Sequence, residues 1–116
     1  MVSINTARQL ALALPEAEEK SHFDKPDFRV KNKIFASLHV EKKIMMIKLS
    51  AIDQSVFCGI DPDIIYPVPG GWGRNGATFF HLQQIQRSIL KDALLCGWKT
   101  VAPTSMLKRY FPKEGQ

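Results

Sequence analysis

Three β-favouring runs separated by two-residue polar turns constrain this chain more than anything else in it. The first run ends at Val30, with Phe28 and Val30 alternating against Asp27 and Arg29 as strand residues do. Lys31 and Asn32 follow as a tight turn, because Asn tolerates the positive φ that two-residue hairpin loops demand. In the second run Ile34, Ala36, Leu38 and Val40 share one face, and Lys33, Phe35, Ser37 and His39 share the other. Glu41 and Lys42 turn the chain again, and the third run places Met45, Ile47 and Leu49 on one side. Short turns permit only antiparallel neighbours, so the segment is an antiparallel meander.

Helical patterns flank it. Ala7, Leu10, Ala11 and Leu14 recur at helical spacing from a Ser3 cap to Pro15. Glu16 to Lys20 reads as an acidic turn. Ser50-Ala51-Ile52-Asp53 has the form of a capping box, so a short helix is expected there, ended by Gly59. An extended piece, Ile64 to Tyr66, leads through Pro67 and Pro69 into the glycine-rich loop 70–76, and Ala77 to Leu82 reads as a further strand. The longest helix is expected from Gln83 to Trp98 or Lys99, followed by a short one capped by Thr104 and a frayed tail at 112–116. Helix, three strands, helix, one or two strands and helix imply a two-layer α+β fold, with helices covering one face of an antiparallel sheet.

The 116 residues, 45% of them hydrophobic, suffice for one core and leave no room for a second domain. Cys58 and Cys96 lack metal-ligand or disulfide spacing and read as reduced, buried thiols. The apolar run Leu10 to Leu14 is too short for a membrane span or signal-peptide core, so a cytoplasmic protein is expected, with no metal and no cofactor. Sixteen Lys and Arg against eleven Asp and Glu give a net charge of +5, which favours a polyanionic partner and equally serves plain solubility.

Four pieces in order, Phe28-Arg29-Val30-Lys31-Asn32-Lys33-Ile34-Phe35-Ala36, Lys48-Leu49-Ser50, the stretch from Trp72 to Leu82, and Trp98-Lys99-Thr100-Val101-Ala102-Pro103, resemble the bacterial MmcQ/YjbR family along nearly the whole chain. That resemblance implies an α-β-β-β-α-β-β-α order similar to secretion-chaperone-like folds, and a double-wing DNA-binding role. The chain departs from a frequent family pattern in having Ala77, not Trp, at the opening of the strand after the loop, with Trp72 upstream.

The candidate nucleic-acid contacts fall in three groups. Arg29, Lys31 and Lys33 cluster at the first hairpin tip and Lys42, Lys43 and Lys48 at or near the second, where long cationic side chains reach phosphates. Lysines at such places also keep sheets from pairing edge to edge. In the glycine-rich loop Arg74 and Asn75 offer polar contacts and Trp72 a stacking face, against the alternative of a plain connection with Trp72 tucked onto the core. Lys99, Lys108, Arg109 and Lys113 form a C-terminal basic group that also suits negative helix ends.

Catalytic signals are sparse. His22 and Asp24 are the one close His/Asp pair, no Ser or Cys stands in a nucleophile motif, and Asp61 and Asp63 lack the further ligands of a calcium loop. The leading expectation is a non-enzymatic protein that binds nucleic acid, DNA above all, weakly or non-specifically through basic hairpin wings. The alternative is a protein-interaction domain using an apolar sheet face of Phe35, Ile44 and Met46, and a third is a small-ligand site near Trp72 and His81.

Overall fold

The computed structural model describes residues 1–21 and 25–112. Its elements run α1 (Ile4–Leu12), β1 (Glu18–Lys20), β2 (Asp27–Val30), β3 (Lys33–His39), β4 (Ile44–Lys48), α2 (Ala51–Ile60), β5 (Ile65–Pro67), α3 (Gly71–Arg74), β6 (Ala77–His81), α4 (Arg87–Val101) and α5 (Thr104–Tyr110). Among the described residues the strands form one antiparallel sheet in the order β1-β2-β3-β4-β6-β5, and the architecture is the expected mixed α+β one.

Local chemistry explains the main boundaries. The Ser3 hydroxyl accepts from the Thr6 amide at 3.0 Å and opens α1, and the Ser50 hydroxyl accepts from the Asp53 amide at 3.1 Å and opens α2. Lys31 and Asn32 take φ of 50° and 64°, the left-handed pair that a type I′ turn requires, so β2 and β3 close without splaying. Gly59 does not end α2, which continues through Ile60 to Asp61 in extended conformation. The longest helix starts at Arg87, later than its apolar pattern suggests, and Pro103, not Thr104, precedes α5.

Two elements escape the sequence pattern. The charged stretch Glu18–Lys20 is a strand, not only a turn: it lies along the edge of β2, and Arg8 of α1 reaches Glu19 at 3.1 Å. Charged side chains suit such an edge, since they discourage pairing with another chain. The other is α3, a single turn inside the glycine-rich loop.

The core lies between the sheet and α1, α2 and α4. Phe28, Phe35, Leu38, Met45, Ile47, Phe80, Leu90, Leu94 and Trp98 are fully buried there, and the Trp98 indole donates to the Pro15 carbonyl at 2.9 Å. Gly97 brings α4 against the sheet, where a Cβ would sit 2.6 Å from Ile47 Cγ2. Gly76, at φ 103°, lets the chain pass the Leu49 carbonyl, which any side chain would strike.

Strict alternation along β3 fails at one place. Phe28 pairs with Ala36 but Arg29 pairs with Ile34, so Phe35 is an extra residue in the ladder. This bulge turns Phe35 to the core face beside Ala36, and both are fully buried. The proposed apolar patch is thereby corrected: Phe35 is inaccessible and Ile44 is 8% exposed, leaving only Met46 of the three half-exposed.

Candidate nucleic-acid interface

In a meander, successive turns fall at opposite ends of the shared strand. β3 has seven residues, about 20 Å at strand rise, so the 31–32 turn and the 41–43 turn stand that far apart. The expected pair of basic tips therefore does not form one surface. Lys42 and Lys43 belong to the far end, where Lys42 lies with Lys25, His39 and Glu41 around a small polar cavity.

The near end gathers most of the other candidates. Lys33 opens β3, Lys48 closes β4 opposite Ala77 at the start of β6, and β5 ends there at Pro67, so the loop bearing Trp72, Arg74 and Asn75 joins the same end. From the 31–32 turn across β3 and β4 to β6 is three strand spacings, roughly 15 Å. Trp72 is 73% exposed, so it is not tucked onto the core. Its loop is fastened from behind: the Gln54 amide donates to the Gly73 carbonyl at 2.9 Å, with Thr78 Oγ1 at 3.1 Å and the Ala77 carbonyl at 3.3 Å. Asn75 closes α3 through its backbone amide and leaves its side chain exposed.

Not every cation at this end is available. Arg29 Nε and a terminal nitrogen bind both Asp27 oxygens at 2.9 and 3.2 Å, and its other terminal nitrogen donates to Asn32. The carboxylate raises the Arg29 pKa further and holds the guanidinium on the sheet, so Arg29 is a structural residue. Lys31 reaches Glu16 at 3.3 Å, and Arg109 of α5 comes within 3.9 Å of the same carboxylate, which also accepts from the Tyr110 hydroxyl at 2.7 Å. The hydroxyl and the Lys31 ammonium hold the Glu16 carboxyl below its usual range. Lys108 is exposed on α5, Lys99 stands over the Phe111 ring at 4.8 Å, and Lys113 lies outside the described residues.

The sheet face turned from the helices carries a ring cluster that sequence reasoning missed. Tyr66 and Phe79 are cross-strand partners, Tyr66 Oη lies 2.6 Å from His81 Nε2, and His39 meets Phe79 edge-on at 5.5 Å. Period-two alternation in β6 places Phe79 and His81 on one face, but only the strand order reveals Tyr66 beside them. Trp72 and His81 lie at opposite ends of β6 and do not form a joint ligand site.

Among the described residues no group of three or more His, Cys, Asp or Glu is placed to hold a metal ion, and no helix is long and apolar enough to cross a membrane. The His22-Phe23-Asp24 pair lies outside the described residues. Cys58 and Cys96 are free and half-buried, and burial pushes both thiols up, away from nucleophilic reactivity.

Comparison with known proteins decides the family. The YjbR family model matches residues 12–100, which takes in the whole meander, α2, the Trp72 loop, β6 and nearly all of α4. The chain belongs to the YjbR family. This YjbR-family chain is also similar in fold to Deinococcus radiodurans protein DR2400, of domain family DUF419, with a TM-score of 0.73 at 16% identity over 99% of this chain and 86% of that one. No curated protein matches it.

Proposed function

We propose that this YjbR-family chain is a non-enzymatic, cytoplasmic protein that binds nucleic acid, DNA in the first instance, through the rim at the 31–32 end of its sheet. The observation that carries this reading is the gathering of Lys31, Lys33, Lys48 and Arg74 with the exposed Trp72 at one end of the sheet. A span of roughly 15 Å suits contact with the two phosphate strands that border a groove about 12 Å wide. Ammonium and guanidinium groups there meet phosphate oxygens, with Trp72 and Asn75 set to touch sugar or base edges. Contacts of this kind position a duplex with little sequence preference. Lys42 and Lys43 take no part, which makes the rim a single wing.

Fluorescence anisotropy with labelled duplex DNA tests this. Binding at low salt is expected, abolished by Lys33→Glu with Arg74→Glu and preserved by Lys42→Glu with Lys43→Glu. No binding at low salt and micromolar protein, or equal loss from both pairs, overturns it.

A further inference from the structure

The solvent face of α2 is out of keeping with a chain so rich in charge. Ile52, Val56 and Ile60 recur every four residues and are 77%, 60% and 52% exposed. Ala51, Ser55 and Gly59 fill the rest of that face, so it bears no charge. The one ionisable carboxyl of the helix, Asp53, is turned inward, beside the Cys96 thiol of α4. A surface helix ordinarily presents charged or polar side chains to water, and one that is apolar all round is a buried helix. This face is missing its cover.

At the C-terminal end of the same helix lies a hole. A cavity of about 270 Å³ there is lined by five isoleucines, Ile60 and Ile64 among them, and by the polar side chains of Asp61, Gln84 and Gln86. At the N-terminal end Ile52 projects as a knob with three quarters of its surface in solvent. Knob and hole are eight residues apart on one helix, about 12 Å.

We propose that the chain forms a two-fold symmetric dimer through α2, with Ile52 of each copy seated in the other copy's cavity beside Ile60. An antiparallel pair of helices with its axis at Val56 maps position 52 of one copy onto position 60 of the other, which a two-fold interface requires. Charge selects the same arrangement. The C-terminal end of α2 carries the negative end of the helix dipole and is followed by Asp61 and Asp63, and the antiparallel pairing sets that end beside the positive N-terminus of the partner helix. An acidic or basic partner protein finds no countercharge along the apolar stripe. A second copy brings an identical uncharged stripe and the complementary ends.

Backbone approach is open as well. A Cβ on Gly59 meets nothing within 4 Å, so two such helices can cross at the short end of the usual 8–10 Å range. The chain enters α2 from the 31–32 end of the sheet and leaves toward the other, so the two basic rims point away from each other and net repulsion at the contact is small. The apolar patch is on the order of 300–400 Å² per copy, about half of the roughly 800 Å² per partner of a standard interface, so the dimer is a weak, transient one that dissociates in the micromolar range.

Sedimentation velocity on the full chain across a concentration series gives the first reading, with a monomer–dimer equilibrium expected. Ile52→Asp should weaken it at least tenfold and leave the melting temperature unchanged at protein concentrations low enough for the chain to be monomeric, because in the single chain the side chain it replaces stands in solvent. In a background with both native cysteines changed to Ser, Val56→Cys should cross-link to itself on mild oxidation. Ile52→Cys and Ile60→Cys should each fail alone and cross-link when mixed. A chain that stays monomeric at hundreds of micromolar, an Ile52→Asp variant as dimeric as the parent, or a position-56 cysteine that oxidises no faster than one placed at Ser105 overturns the proposal.

Discussion

Gln54 links the stability of the fold to the geometry of the rim, and its replacement has a calculable outcome. One amide nitrogen, with two hydrogens, faces the Gly73 carbonyl, Thr78 Oγ1 and the Ala77 carbonyl within 3.3 Å. Gln54→Leu keeps the bulk and removes both donors. The acceptors are not stranded by this: Gly73 still accepts from the Gly76 amide, Ala77 from the Val68 amide, and the Thr78 hydroxyl still donates to the Gly76 carbonyl. The loss should therefore fall at the low end for a broken buried hydrogen bond, about 1–2 kcal/mol. Gln54→Glu is worse at neutral pH, because it aims a charged acceptor at three acceptors, and about 3 kcal/mol is expected. That environment raises the folded-state pKa of the new carboxyl above its unfolded value. The penalty is then full above the folded pKa and fades as pH falls toward the unfolded one, where a protonated carboxyl donates. Urea midpoints at pH 7 and pH 5 for the three proteins separate these effects. A Gln54→Leu variant as stable as the parent, or a Gln54→Glu variant whose deficit does not shrink on acidification, refutes the reasoning.

Other expectations follow from the same geometry. With Arg29 tied to Asp27 and Lys31 paired with Glu16, the rim offers Lys33, Lys48 and Arg74, so log K against log salt for duplex DNA should have a slope of about −2.5 to −3. Glu16→Gln, which releases Lys31, should steepen it by up to about 1 in the same titration. Gly97→Ala sets a Cβ 2.6 Å from Ile47 Cγ2 and 3.2 and 3.3 Å from the Lys48 and Phe35 carbonyl oxygens. Overpacking of about 1–3 kcal/mol is set against a helix-propensity gain of about 1, and with carbonyl oxygens as well as Ile47 in the way a net loss of up to about 2 kcal/mol is expected by denaturant titration. The Glu16 carboxyl, held below its ordinary 4.5 by Tyr110 and then Lys31, contributes stability that is present above that value and lost as pH falls through the folded one. Acidification below pH 4.5 should loosen α5 and change the fluorescence of Trp98, which packs against Tyr110, and Tyr110→Phe should shrink that acid step.

Much of the fold was legible because short-range chemistry wrote it. The Lys31-Asn32 turn, the Ser3 and Ser50 caps and the helical period of α4 each depend on neighbours within a few positions. β1 was not legible, because nothing in Glu18-Glu19-Lys20 prefers a strand; the free edge of β2 imposes it. The inward turn of Phe35 was hidden for a related reason. A bulge is a mismatch between two strands, and no periodicity within one strand can display it.

The candidate site divides along the same line. Which cations are spent on carboxylates depends on distant pairs such as Lys31 with Glu16, and these wait on tertiary structure. The separation of the two tips does not. Once three strands are read as a meander, the turn before the middle strand and the turn after it must lie at its two ends, one strand length apart. Lys42 and Lys43 could thus have been set apart from Lys31 and Lys33 with no coordinates at all. A basic surface that crosses such a sheet has to be assembled from strand ends on one side, and Lys48 and the Arg74 loop, remote from Lys31 in sequence, qualify by topology alone.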